Sequence, residues 1–225
     1  MIRRSIIFVL LLSASIFIAP TIGYANQNNS ILDAAGKSKA SMEIIPEWDR
    51  VLKNYKKILS TPSYGRTAKW DEFIEKLQDD DPVRQILKVN LWFNGYPYKQ
   101  DNWIYGKEDH WATPSEFLQY GGDCEDFVII KYLTLRRLGF PANAMKLTIV
   151  YDIFSGTDHA LLVVNHDNQT YVLDNRDNMT IEDHYKERYT PHYAFNENEL
   201  WTYDNLMIVH KARKNNGDLI LPGNR

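Results

Sequence analysis

The sequence predicts an α+β domain with helices first and an antiparallel sheet after, on three observations. Apolar residues recur at three- and four-residue spacing up to Leu138, they alternate at a spacing of two from Lys146 onward, and Gly139 and Pro141 punctuate the change. No internal repeat and no low-complexity linker divides the chain after its first 40 residues.

The start of the 225-residue chain has its own pattern. Arg3 and Arg4 precede an apolar run over residues 6–19, and Gly23 and Ala25 follow as a small-residue pair, which reads as a secretory signal peptide over residues 1–25. An uncleaved membrane anchor is the competing reading, but the run is shorter than the roughly 20 apolar residues a spanning helix needs. Without residues 1–25 the chain keeps 24 Lys and Arg against 29 Asp and Glu, a net charge near −5. That balance argues against nucleic acid or an anionic membrane surface as the main partner. Residues 26–40 are small and polar and read as a flexible leader; residues 41–225 are long enough for one well-cored domain.

Within that domain, Trp48, Val51, Leu52, Tyr55, Ile58 and Leu59 share one face of an amphipathic helix over residues 46–59. Residues 69–77 and 82–93 repeat the pattern, the second with Asp81 as N-cap and Pro82 in the first helical position. Residues 94–123 are aromatic-rich, irregular, and broken by Gly95, Pro97 and Gly106. Thr113 and Glu116 then form a capping box for a short helix ending at Gly121. Asp123 is placed to cap the next helix, with Asp126 at its third position and an apolar run (Phe127, Val128, Ile130, Leu133, Leu135, Leu138) broad enough for a buried helix.

Beyond Pro141, Leu147, Ile149, Tyr151 and Ile153 alternate with Lys146, Thr148, Val150 and Asp152, which reads as a half-buried strand. Further strands are expected at residues 159–165, 170–175 and 206–209.

Cys124 is the only cysteine, so it forms no internal disulfide and is either a spare buried side chain or a reactive thiol. Its neighbours Asp123, Glu125 and Asp126 oppose a thiolate. Its place in the first turn of a helix favours one, because free N–H groups and the helix dipole lower a thiol's pKa. Gly121 and Gly122 allow a sharp turn and leave room at the sulfur. His159 opens an apolar strand where a core-facing position would not ordinarily hold a histidine. If Asp167-Asn168 is a two-residue hairpin loop, Asp174 faces Leu161 and lies one diagonal step from His159, or nearly opposite it with a bulge. Helix start, strand and neighbouring strand then converge as nucleophile, base and orienting acid. Each residue alone is commoner as a structural group; the conjunction favours chemistry. Trp103, Tyr105, His110 and Trp111 either wall a groove or pack in the core, and His110 is the rival base.

The stretches DHWATPSEFLQYGGDCEDFVIIKYLTLRRLGFP, DHALLVV and YVLDN, with weaker support from PEWDRVL and DPVRQILKVNLWFN, resemble the bacterial transglutaminase-like cysteine peptidases, specifically the LapG-type periplasmic adhesin proteases. The resemblance implies a papain-like, transglutaminase-like core in which Cys124 attacks a peptide carbonyl, His159 carries the proton and Asp174 holds the imidazole. It implies calcium as cofactor, bound by Asp123 and Glu125, with Asp126 as a further ligand; helix chemistry alone would read Asp123 and Asp126 as caps. It implies a periplasmic endopeptidase that cuts the N-terminal region of a large surface adhesin at paired alanines, releasing it and promoting biofilm dispersal. It also implies an inhibitory membrane-bound cyclic-di-GMP receptor as partner. Two alternatives stay open on the sequence: an acyltransferase or amidase on the same core, and a binding module without catalysis.

Overall fold

In the computed structural model, residues 36–38, 45–181, 185 and 187–203 are described. The signal-peptide reading of residues 1–25 and the strand expected at residues 206–209 lie outside them.

The amphipathic face over residues 46–59 becomes α1 (Pro46–Leu59), which buries Trp48 and Val51. Trp48 makes edge-on contacts with Trp111, Tyr132 and Phe195 at centroid separations of 6.5, 5.6 and 5.8 Å, so one residue ties α1 to the loop, the central helix and the sheet. Next come α2 (Arg66–Leu77) and α3 (Pro82–Asn94), the latter capped by Asp81, whose carboxylate accepts the Arg84 N–H at 3.1 Å. The aromatic stretch is less irregular than its composition suggests: it contains a one-turn helix, α4 (Asp101–Ile104). The capping box at Thr113 forms as expected and starts α5 (Pro114–Tyr120); the Glu116 carboxylate accepts the Thr113 N–H at 2.7 Å. The central helix α6 (Cys124–Arg137) is buried on every side from Phe127 to Leu135.

Among the described residues, six strands follow the order β1-β6-β5-β2-β3-β4, all antiparallel: β1 (Gly36–Ser38), β2 (Met145–Asp152), β3 (Thr157–His166), β4 (Gln169–Leu173), β5 (Tyr189–Phe195) and β6 (Leu200–Thr202). The β3–β4 register is the one the hairpin arithmetic requires, with Leu162 opposite Leu173 and His166 opposite Gln169. Asp167 and Asn168 both take positive φ, 49° and 61°, the pairing a two-residue primed turn demands and one that Asp and Asn tolerate.

Three expectations need correction. β2 is not half-buried: Lys146, Thr148, Val150 and Asp152 are as inaccessible as their neighbours, because β2 lies between β3 and β5 with α6 on one face and a second apolar cluster, including Leu161, Val163, Tyr185 and Tyr189, on the other. The strand β5 was missed, since Pro191 breaks its alternation; the proline sits where the β2–β5 register shifts at Ile149/Val150, a position that tolerates a missing N–H. And Gly36–Ser38, inside the stretch read as leader, pairs with β6 at the sheet edge.

Candidate active site

The site begins where two backbones press on each other ahead of α6. Lys99 N–H donates to the Gly122 carbonyl at 2.9 Å, and Tyr98 pairs with Gly122 in a short parallel bridge. Gly121 has φ 78°, and a Cβ there would lie 2.0 Å from the Pro97 carbonyl oxygen; at Gly122 it would lie 2.1 Å from Asp126 Oδ2. The glycines are therefore required by the Pro97 backbone and the Asp126 carboxylate, a different reason from the open space at sulfur expected of them. Gly121→Ala should lower the unfolding free energy by about 3 kcal/mol or more, read by denaturant titration, because backbone strain and overpacking add.

Cys124 opens α6 and is 8 % exposed. Its Sγ donates to Glu125 Oε2 at 3.1 Å, and the N–H of Ala160, next to His159 on β3, is directed at the sulfur. His159 is buried; its Nε2 and Asp174 Oδ1 are 2.8 Å apart, while its Nδ1 has no hydrogen-bond partner among the described residues. Asp174 stands just past the end of β4, so the diagonal step suffices without a bulge in that hairpin. Its Oδ2 accepts the Tyr189 hydroxyl at 2.6 Å, and Oδ1 also accepts the Arg176 N–H at 2.9 Å. Burial works against the Asp174 charge, but the bonds from His159, Tyr189 and Arg176 outweigh it and bring the carboxyl down to about 2. Burial also dominates at His159, whose pKa falls below its ordinary value although Asp174 pulls it upward.

The thiol differs from the sequence reading in its electrostatics. Burial, then the charges of Glu125 and Asp123, push its pKa up, while the Ala160 N–H pulls it down. The same acids strain one another. Burial first and mutual repulsion second raise Asp123 to about 9, Glu125 to about 7 and Asp101 to about 7. Asp109, raised to about 6 by burial and by Glu47, completes the group.

Ligand oxygens of Asp101, Asp109 and Glu125 lie within 4.8 Å of one another, as do those of Asp101, Asp123 and Asp126. Asp101 Oδ1 and Asp109 Oδ1 are buried without a hydrogen-bond partner among the described residues. Orphaned carboxylate oxygens gathered in this way fit a hard divalent cation, which takes oxygen ligands and cancels their repulsion. The Asp126 carboxylate accepts the N–H groups of Ala112 at 2.6 Å and Asp123 at 3.2 Å. That is the capping role helix chemistry predicts.

Residues 66–204 match the family described as bacterial transglutaminase-like cysteine proteinase, BTLCP. The chain belongs to this family of cysteine proteinases. Among solved structures, calcium-bound LapG of Legionella pneumophila is 31 % identical, with a TM-score of 0.56 over 68 % of this chain and 88 % of that one. EGTA-treated LapG from the same organism is also 31 % identical, with a TM-score of 0.55 over 68 % of this chain and 84 % of that one. A search of curated proteins finds no match.

Sequence reasoning on this proteinase missed Asp101 and Asp109, which lie 23 and 15 residues before Cys124 in the aromatic stretch. The signal was present in the acids that punctuate that stretch, but nothing local marks them as neighbours of Glu125. It also missed Tyr189, on the strand hidden by Pro191. His110, the rival base, is instead held in place: Asp101 Oδ2 accepts its backbone N–H at 2.5 Å, and its ring lies 3.4 Å from Glu116 Oε1 and 3.3 Å from Lys107 Nζ. Trp111 is core, stacked on Phe195, whereas Trp103 is 77 % exposed.

Proposed function

We propose that this proteinase is an exported, calcium-dependent endopeptidase with Cys124, His159 and Asp174 as its catalytic triad, acting in the periplasm after loss of residues 1–25. The observation that carries the triad is the imidazole of His159: one nitrogen is committed to Asp174 and the other is unused, on a strand whose next N–H is directed at the cysteine sulfur. His159 Nδ1 takes the thiol proton as Sγ forms its bond to the scissile carbonyl carbon. The imidazolium then protonates the leaving amine as the C–N bond breaks, and water, deprotonated by the same nitrogen, hydrolyses the thioester. Asp174 holds the ring throughout, and Tyr189 holds Asp174.

Asp101, Asp109, Asp123 and Glu125 hold calcium in this reading, with Asp126 mainly supporting them as a cap. Bound there, the ion neutralises the field that disfavours the thiolate. With Glu125 engaged as a ligand, the acceptor left for the thiol proton is His159 Nδ1.

The substrate in this reading is the N-terminal region of a large surface adhesin, cut at paired alanines so that the adhesin is released and the biofilm disperses. A membrane-bound cyclic-di-GMP receptor sequesters the protease until the second messenger falls. Support comes from the likeness to LapG and from the sequence stretches around the three triad residues. The test is incubation of residues 26–225 with the N-terminal fragment of such an adhesin, in calcium and then in EGTA, with and without a primary amine. A single cut at the alanine pair, in calcium alone and unaffected by the amine, is expected. An amide adduct of the amine in place of a free carboxylate would make the protein an acyltransferase, and an intact fragment in both conditions would overturn the substrate.

A further inference from the structure

A buried lysine near the triad has no part in the chemistry described so far. Lys131 lies in the middle of α6, fully buried, two turns beyond the nucleophile. Its Nζ donates to Asn90 Oδ1 at 2.7 Å and Asn94 Oδ1 at 2.6 Å, both on α3. The other ends of these amides grip the loop that follows β4. Asn94 Nδ2 donates to the backbone carbonyls of Asp174 at 2.9 Å and Asp177 at 3.0 Å and to Asn178 Oδ1 at 2.9 Å, and Asn90 Nδ2 donates to the Asp177 carbonyl at 3.2 Å.

We propose that Lys131 is a positioning residue for the active site, which fixes the direction of two asparagine amides and through them locks the Asp174 loop to the helix that carries Cys124. The inference rests on the triad reading above. An ammonium offers only donors, so each asparagine must turn its oxygen toward Lys131 and its NH₂ toward the loop carbonyls. Without that donor either amide is free to flip and set its oxygen against a carbonyl oxygen, which repels the loop. The chain of contacts runs from α6 through Lys131 and Asn94 to the main chain of Asp174. Its side chain is held separately by Tyr189 and Arg176, so the amides govern where the carboxylate stands and the other bonds govern how it points. Burial pulls the lysine's pKa down to about 7 while the Asp174 charge opposes the fall, and either protonation state keeps the two N–H groups the amides need. A buried amine with no partner would be costly, which is why its two acceptors come as a fitted pair.

The test uses calcium-loaded protein and needs no protein substrate: the rate of Cys124 alkylation by iodoacetamide against pH, with thermal unfolding measured alongside. Lys131→Met removes the donor. Asn94→Asp keeps an acceptor for Lys131 and removes the donor to the loop, and it keeps the inference testable should Lys131→Met fail to fold. Thr134→Val, on the same helix, deprives the Trp70 indole of its partner at 2.9 Å and serves as a destabilised control away from the loop. Asp174→Ala reports on the triad itself. In folded protein, Lys131→Met and Asn94→Asp should slow alkylation at pH 7 about tenfold and move the histidine-linked inflection to lower pH, because Asp174 no longer stands where it supports the imidazolium. Thr134→Val should melt earlier and keep the wild-type profile. If Asp174→Ala moves the profile while Asn94→Asp leaves it unchanged, the positioning role is overturned. If Asp174→Ala leaves the profile unchanged as well, the triad reading fails, and the inference falls with it.

Discussion

Replacing His159 by alanine is expected to reduce kcat by about 10⁴-fold, the scale on which triads lose activity when their base is removed. The protein should still fold. Asp174 keeps the Tyr189 hydroxyl and the Arg176 N–H as donors, so the deletion leaves a hydrogen-bonded carboxylate in place of an orphaned one. The His110→Ala variant is the comparison that decides. His110 sits against Glu116 and Lys107, and removing its ring should cost some stability and leave most of the turnover. A dead His110 variant beside an active His159 variant would remove the triad from this protein. Circular dichroism melts on both variants exclude unfolding as the cause.

The second large effect is expected on removing calcium. Five carboxylates, those of Asp101, Asp109, Asp123, Glu125 and Asp126, are held above their ordinary range and cost folding energy as long as nothing neutralises them, so the metal-free protein should be active at background level only and should melt earlier. Calcium at 100 times its dissociation constant should restore activity and add about 2.7 kcal/mol to the unfolding free energy. Its affinity should weaken as pH falls from about 9 to about 6, the span over which Asp123, Glu125, Asp101 and Asp109 take up protons that compete with the ion. Isothermal titration across that range measures this directly. Variants separate ligands from caps. Asp109→Asn should blunt the calcium response and leave the metal-free melt no worse, whereas Asp126→Asn should destabilise both forms alike, since its bonds to Ala112 and Asp123 do not depend on an ion. Full activity in EGTA would sink the assignment of all four acids.

Most of what was legible in the sequence was local. The helix at residues 46–59, the capping box at Thr113 and the hairpin turn at Asp167-Asn168 are decided by contacts within a few residues, and periodicity and turn chemistry report such contacts faithfully. The His159–Asp174 pair was reachable for the same reason, because a two-residue loop sets the register of everything it connects. What stayed hidden depends on packing between distant segments. The burial of β2 on both faces depends on a second apolar cluster that includes Tyr185 and Tyr189, some 40 residues later, and the proline that masks β5 is tolerated only because β2 shifts register beside it. The opposition of Glu125 and Asp123 to the thiolate was legible because they flank Cys124; the burial that dominates the thiol's raised pKa was not, since it comes from packing between distant segments. Asp101 and Asp109 were unrecognisable for that reason too.

The three residues of β1 bear on where the folded protein begins. Gly36, Lys37 and Ser38 stand opposite Thr202, Trp201 and Leu200, so they form the rim of the sheet on the side away from β4. A form of the protein cut back to the start of α1 would lose that rim, and among the described residues the outermost strand would become β6, whose peptide groups lose the partner that β1 gives them. Such a margin invites another copy of the same chain to add itself as a neighbour. The useful N-terminal boundary for preparing this proteinase therefore lies before Gly36, inside a stretch whose composition alone would have marked it as dispensable.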